Sequence, residues 1–217
     1  MSLVTLIPAK PFDVAKTRLS PVLSTPQRKA LAEALFRRTL TMATGFPATA
    51  QVRVVTRSPE IAEIAHGAGA TALPETEAPG DGLSIALTEA AAQAFRDGAS
   101  SILYLPADLP RLAKPDLEAL IEAGKTRNVI APDRERDGTN ALLWHGPETP
   151  RFQFGTDSFQ KHLAMLGETE RGVEIVARPG LGLDLDTPED LETWCASRDG
   201  SDLPLDLALA KPAAAAS

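Results

Sequence analysis

Three stretches of this chain carry residues whose types and spacing could handle phosphate. In IPAKPFDVAKTRL, Lys10, Lys16 and Arg18 are answered only by Asp13 and follow directly on the apolar run from Leu3 to Ile7. The formal net charge is -7, so a local group of cations stands out as either a solvated basic loop or a seat for an anion. In YLPADLP, Asp108 follows the apolar run Ile102 to Leu105 and is flanked by Pro106 and Pro110, which restrict the backbone around it. In LGLDLDTPEDL, strand alternation would put Asp184 and Asp186 on one side and Leu185 on the other. Two carboxylates about 4 Å apart near a surface repel by roughly 4 kcal/mol, a cost that a divalent cation removes. Capping of the helix that begins at Pro188 accounts for Asp186 to Asp190 equally well, but it leaves Asp184 without a role.

Taken together, cations at one strand end can hold a polyphosphate. Carboxylates at two others can hold Mg²⁺, with Mn²⁺ as the alternative, because Mg²⁺ takes oxygen ligands and shares them with substrate phosphates. The pattern points to phosphoryl or nucleotidyl transfer. The opening loop lacks the Gly-Lys-Ser/Thr ending of a P-loop and the glycine-rich dinucleotide fingerprint. The single cysteine, Cys195, and three separated histidines form no thiolate metal site and no Ser/His/Asp or Cys/His nucleophile. If the attacking group is itself an ionised phosphate, no general base is needed, and positioning with charge stabilisation suffices.

The elements that must position these residues follow from periodicity. Strand-length apolar runs recur at Leu3 to Ile7, Val52 to Val55, Ile102 to Leu105 and Val129 to Ala131. Helical patterns lie between them: one after Thr25 as N-cap with Pro26 first, then Glu60 to His66, Leu83 to Phe95 and Pro115 to Ala123. Alternating strands and helices predict an α/β fold with a mainly parallel sheet covered on both faces. Beyond Pro132 the rhythm changes, with strands expected at Thr139 to His145, Arg171 to Ala177 and Leu181 to Leu185 and helices at Ser158 to Leu166 and Pro188 to Cys195. This back half is expected to add a small antiparallel extension to the same domain. Residues 1–197 read as one domain and residues 198–217 as a partly disordered tail.

The acidic balance disfavours nucleic acid and anionic membranes as partners, since both need an extended basic surface. A cytoplasmic enzyme is the fitting class: the apolar start is too short for a signal peptide, and no run approaches a membrane span. A homodimer is compatible with that class.

The motifs IPAKPFDVAKTRL, LPADLP, DRERDGTNAL, FGTDSFQKH and LDLDTPEDL, in this order, resemble the 2-phospho-L-lactate or phosphoenolpyruvate guanylyltransferases of coenzyme F-420 biosynthesis. The resemblance spans nearly the whole chain before the tail. It implies a Rossmann-like nucleotidyltransferase fold and transfer of GMP from GTP to a small phosphorylated carboxylic acid: 2-phospho-L-lactate, phosphoenolpyruvate or 3-phospho-D-glycerate. It implies that Lys10, Lys16, Arg18 and Asp108 serve catalysis and that Asp108, Asp184 and Asp186 organise Mg²⁺. Pro8, Ala9, Lys10, Gly82, Leu83, Ser84 and Asp108 would meet the nucleotide, and Thr139, Asn140, Gly155, Ser158 and His162 the acid. One departure concerns GDGLSIAL, where Ser84 stands in place of the asparagine common in the family. Competing readings are a sugar-nucleotide glycosyltransferase using Asp184 and Asp186 as an Asp-x-Asp pair, and a nucleotide-binding regulatory module without catalysis.

Overall fold

The computed structural model describes residues 2–75, 82–146 and 148–196. Strands β1 (Leu3–Pro8), β2 (Thr49–Thr56), β3 (Thr71–Pro74), β4 (Ser101–Tyr104), β5 (Asn128–Pro132), β6 (Thr139–His145) and β7 (Val173–Ile175) form one sheet in the order β3-β2-β1-β4-β6-β5-β7. All pairings are parallel except those of β6, which runs antiparallel to both β4 and β5. The expected antiparallel extension is therefore a single reversed strand inside the main sheet. Reversal has a consequence for the site: Tyr104, at the end of β4, pairs with Leu142, and Pro132, at the end of β5, pairs with Thr139. The beginning of β6 thus lies at the carboxyl edge of its neighbours, where open α/β sheets bind ligands.

The helices are α1 (Thr25–Thr44), α2 (Pro59–Gly67), α3 (Gly82–Arg96), α4 (Lys114–Gly124), α5 (Ser158–Gly167) and α6 (Pro188–Ala196). Side-chain alternation along each strand decides which helix it meets. Leu3, Ile7, Leu103, Val129, Ala131, Ala141 and Leu143 pack with residues of α1, α2 and α4. Val4, Leu6, Ile102, Tyr104, Ile130, Leu142 and Trp144 pack on the other face with α3 and α5. Leu19, Leu31, Leu35, Leu183, Leu185 and Trp194 form a third cluster that ties the first loop to α6.

Three expectations need correction. Ser24, not Thr25, caps α1: its backbone N–H donates to Gln27 Oε1 at 2.9 Å, so Thr25 and Pro26 lie inside the first turn. Leu181 to Leu185 do not form a strand, because their backbone bonds go singly to loops: Leu185 N–H to the Asp108 carbonyl at 3.0 Å, and Gly182 O from Arg134 N–H at 2.8 Å. The segment read as Arg171 to Ala177 is ordered as strand only over Val173–Ile175. β3 is not among the expected strands, since this short edge strand carries no buried apolar run. The expected tail lies outside the described residues.

Candidate active site

The loop after β1 is held by two apolar anchors. Phe12 is buried against Phe36 of α1 with ring centroids 5.8 Å apart, and Leu19 is fully buried in the third cluster. Burial of each contributes about 1.5–3 kcal/mol, enough to fix a loop otherwise rich in charge. Lys16, between the anchors, has φ +54°, a left-handed backbone that costs a non-glycine residue about 1–3 kcal/mol and recurs at functional sites. Its side chain is only 9 % exposed and its Nζ donates to Asp108 Oδ2 at 3.0 Å. The same ammonium lies 3.8 Å from Asp186 Oδ1, whose other oxygen accepts from Arg18 Nη1 at 3.1 Å. The loop cations and the two distant carboxylates thus meet in one place.

A cleft of about 380 Å³ opens there, lined by Pro8, Ala9, Lys10, Lys16, Arg18, Leu83, Tyr104, Asp108 and Asp186 among others. Lys10 is exposed at its edge. Gly82 opens α3 beside Leu83. Ser84 does not line the cleft: it is buried, and its hydroxyl accepts the Phe154 N–H at 2.9 Å. The residue that replaces the usual asparagine is thereby spent on holding the 152–154 segment to α3, helped by Thr88 Oγ1, which accepts from Phe152 N–H at 3.2 Å.

The LDLD segment keeps its alternation without being a strand. Leu183 and Leu185 enter the third cluster, leaving Asp184 and Asp186 on the opposite side. Thr187 caps α6, accepting from Asp190 N–H at 3.3 Å, while Asp190 Oδ2 accepts the N–H groups of Thr187 at 2.8 Å and Asp186 at 3.2 Å. Capping is therefore done by Thr187 and Asp190, which releases the Asp186 side chain to the cations. Burial first, and the charge of Asp108 second, hold the Asp184 carboxyl above the usual aspartate range; the Asn140 amide, donating at 3.5 Å, opposes this. Burial, then Asp108 and Asp184, push the Tyr104 phenol well above its ordinary value.

This arrangement differs from the expected group of three metal carboxylates. Among the described residues no three His, Cys, Asp or Glu side chains are grouped to hold a metal; Lys16 bonds Asp108 at 3.0 Å and lies 3.8 Å from Asp186, which also pairs with Arg18. Asp108 and Asp184 remain as an oxygen pair in which burial first and the Asp108 charge second disfavour the ionised Asp184 carboxyl, a cost that a divalent cation would offset. Mg²⁺ is commonly held by one or two carboxylates plus substrate phosphates, so this pair fits the ion.

The residues expected to meet the acid gather at the start of β6 and of α5, though not all as ligands. Thr139 Oγ1 and Ser158 Oγ are 3.5 Å apart, and Gly155, exposed with φ +96°, supplies the turn that leads into α5. His162 is fully buried: Nε2 accepts from Gln153 N–H at 2.8 Å, and Nδ1 lies 2.9 Å from Thr139 Oγ1. An accepting Nε2 leaves the proton of a neutral ring on Nδ1, which then donates to Thr139. His162 therefore supports Thr139 from behind. Asn140 is likewise buried, and its amide donates to Leu181 O at 2.8 Å and to Asp184, so it positions a carboxylate. Asp133, outside the expected set, shapes the hairpin before β6: its oxygens accept from Asp137 N–H at 3.0 Å and Gly138 N–H at 2.8 Å. A side-chain acceptor four and five residues ahead of Asp-Gly was the signal available.

Residues 3–200 match a family model described as "Guanylyl transferase CofC like". A protein from Rubrobacter xylanophilus named phosphoenolpyruvate guanylyltransferase is 39 % identical over 199 residues, 91 % of this chain and 95 % of its own. One of the same name from Conexibacter woesei is 36 % identical over 206 residues, 92 % of each chain. A 3-phospho-D-glycerate guanylyltransferase from Colwellia psychrerythraea is 36 % identical over 188 residues, 86 % of this chain and 88 % of its own. Among solved structures, one named as a nucleotide-diphospho-sugar transferase from Desulfovibrio desulfuricans superposes with a TM-score of 0.74 at 16 % identity, over 93 % of this chain and 90 % of that one. A Mycobacterium tuberculosis protein solved in complex with manganese gives 0.52 at 17 % identity, over 91 % and 99 %. At these identities the structural likenesses show the fold alone.

Proposed function

The chain belongs to the CofC-like guanylyltransferase family, a group of nucleotidyltransferases, and from that premise we propose that it transfers GMP from GTP to a three-carbon phospho-acid with release of pyrophosphate. Phosphoenolpyruvate is the first candidate, since relatives that match nearly the whole chain carry its name; 3-phospho-D-glycerate and 2-phospho-L-lactate share its carboxylate and phosphate. The activated acid would then be passed to a deazaflavin precursor of coenzyme F-420.

The observation that carries this reading is Lys16 held between Asp108 and Asp186 in the cleft at the sheet's carboxyl edge. An incoming triphosphate competes for that ammonium, with Lys10 and Arg18 beside it as further cations. A bond forms between a phosphate oxygen of the acid and the α-phosphorus of GTP. The bond from the α-phosphorus to the oxygen bridging to the β-phosphorus breaks, and pyrophosphate leaves with that electron pair. Asp108 and Asp184 would hold Mg²⁺, which supplies charge neutralisation to the nucleotide phosphates. Lys16, freed from Asp108, counters charge on the departing pyrophosphate. Thr139 and Ser158 offer hydroxyls to the acid, and Gly155 allows close backbone approach. His162 and Asn140 act one step back, orienting Thr139 and Asp184. Among the described residues no helix is long and apolar enough to cross a bilayer.

The test is pyrophosphate release by the purified protein with GTP and Mg²⁺, each of the three acids being offered in turn and the product weighed by mass spectrometry. Turnover with one acid is expected. Folded protein that releases no pyrophosphate with any of them would remove the proposal.

A further inference from the structure

β4 ends on Tyr104, and its side chain leaves the sheet toward α3 and α5 at the point where the sheet meets the cleft. The residue is 4 % exposed and its ring is packed tightly: 4.6 Å from the Phe154 ring, 5.9 Å from Phe152, with those two rings stacked 5.7 Å apart. Phe152 and Phe154 in turn approach His162 edge-on at 6.1 and 5.0 Å. The ring is thereby fixed between the charged cleft and the corner where His162 supports Thr139 beside Ser158.

The hydroxyl is what this packing does not explain. Among the described residues this hydroxyl has no hydrogen-bond partner, yet it is not one of the fully enclosed polar atoms, so it opens on the cleft that the residue lines. Phenylalanine would fill the same aromatic layer without a polar atom to satisfy. The ring belongs to a wall of the cleft that also presents Lys16 and Asp108, so a ligand reaching that wall can accept from the phenol. The charges of Asp108 and Asp184 both act on Tyr104, so an anion brought here needs donors to offset them. At neutral pH a phenol keeps its proton and is available to donate.

Resting on the guanylyltransferase reading, we infer that the Tyr104 hydroxyl is a substrate-binding donor, hydrogen-bonded to a phosphate oxygen of the phospho-acid. It lies on the side of the cleft joined to Thr139 and Ser158 through the Phe152–Phe154–His162 layer, which selects the acid over the nucleotide. A hydrogen bond to a charged phosphate contributes enough that its loss costs about tenfold or more in binding.

The test is Tyr104→Phe, which keeps the ring and deletes only the hydroxyl. With the acid that supports turnover in the unmodified protein, KM for the acid should rise about tenfold or more while KM for GTP stays within about twofold. Thermal melting without substrates should be unchanged, because the hydroxyl has no internal partner to lose. Acid and GTP parameters equal in the two proteins would overturn the assignment while leaving the guanylyltransferase reading intact. A rise confined to KM for GTP, or a melting temperature lowered by more than about 4 °C, would also overturn it, the latter by showing that the hydroxyl serves the fold. No turnover by the unmodified protein would overturn that reading and this assignment together.

Discussion

Replacing Lys16 by methionine removes one charge while keeping a long unbranched side chain at a backbone position equally strained for either residue. The stability effect can be worked from the geometry. Lys16 is 9 % exposed, but its partners Asp108 and Asp186 are 32 % and 35 % exposed, so solvent screens the carboxylate side of both pairs. Breaking a fully buried pair costs about 3–5 kcal/mol and an exposed one under about 1, which places this variant at about 1–2 kcal/mol. For a chain of this size that lowers the melting temperature by about 2–8 °C. Removal of the ammonium also leaves Asp108 and Asp186 without their shared cation, so Mg²⁺ alone should raise the melting temperature of the variant more than that of the parent protein. In catalysis the loss of a charged donor aimed at the departing pyrophosphate should lower kcat/KM about a hundredfold or more. Calorimetric melts with and without Mg²⁺, together with initial rates of pyrophosphate release, read all three quantities. A variant with unaltered melting and kcat/KM within about threefold of the parent would refute the placement of Lys16 at the centre of the site.

Other expectations follow from the same geometry. Because burial and Asp108 raise the Asp184 carboxyl, the folded protein holds that proton more tightly than the unfolded chain, and stability falls as pH rises from about 3.8 through the raised folded value. Asp184→Asn should flatten that slope in denaturant titrations and melt at or above the parent at neutral pH, yet lose turnover; a variant that turns over normally would remove the carboxylate from the mechanism. Asp108→Asn should likewise abolish turnover, read in the same rate assay. Ser84→Ala leaves the Phe154 N–H without its partner and should cost about 1–3 kcal/mol in stability with little change in KM for GTP; a KM effect without a stability loss would return Ser84 to the nucleotide. Gly155→Ala meets no atom within 4 Å, so its cost is the left-handed backbone, about 1–3 kcal/mol, and KM for the acid should rise while KM for GTP holds.

What could be read from sequence, and what could not, divides along a physical line. Strands buried on both faces announced themselves as apolar runs, and Lys10, Lys16, Arg18, Asp108, Asp184 and Asp186 stood out because each follows or interrupts such a run. Their meeting at one sheet edge follows from the topology rule for parallel sheets. By contrast, β3 is an edge strand with no buried run, and Leu181 to Leu185 alternates only because one side faces a hydrophobic cluster, with no strand beside it to pair. The roles of polar residues were hidden in distant partners: Ser84 is engaged 70 positions away, Asn140 with a carbonyl 41 positions away, and Lys16 with an aspartate 92 positions away. Local pattern carries no information on such pairs, so the buried partners of His162 and Asn140 are not legible in it. Asp186, which alternation pairs with Asp184, also meets two loop cations, Lys16 at 3.8 Å and Arg18 at 3.1 Å, that no local pattern announces.

The central claim is attack by the acid's phosphate on the α-phosphorus of GTP, and the fate of a radioactive phosphorus label tests it most directly. GTP labelled at the α-position should pass its label to the product that contains the acid, while GTP labelled at the γ-position should release its label in pyrophosphate. Label from the γ-position in the acid-containing product, or α-label remaining in free GMP or GDP, would contradict guanylyl transfer at this site.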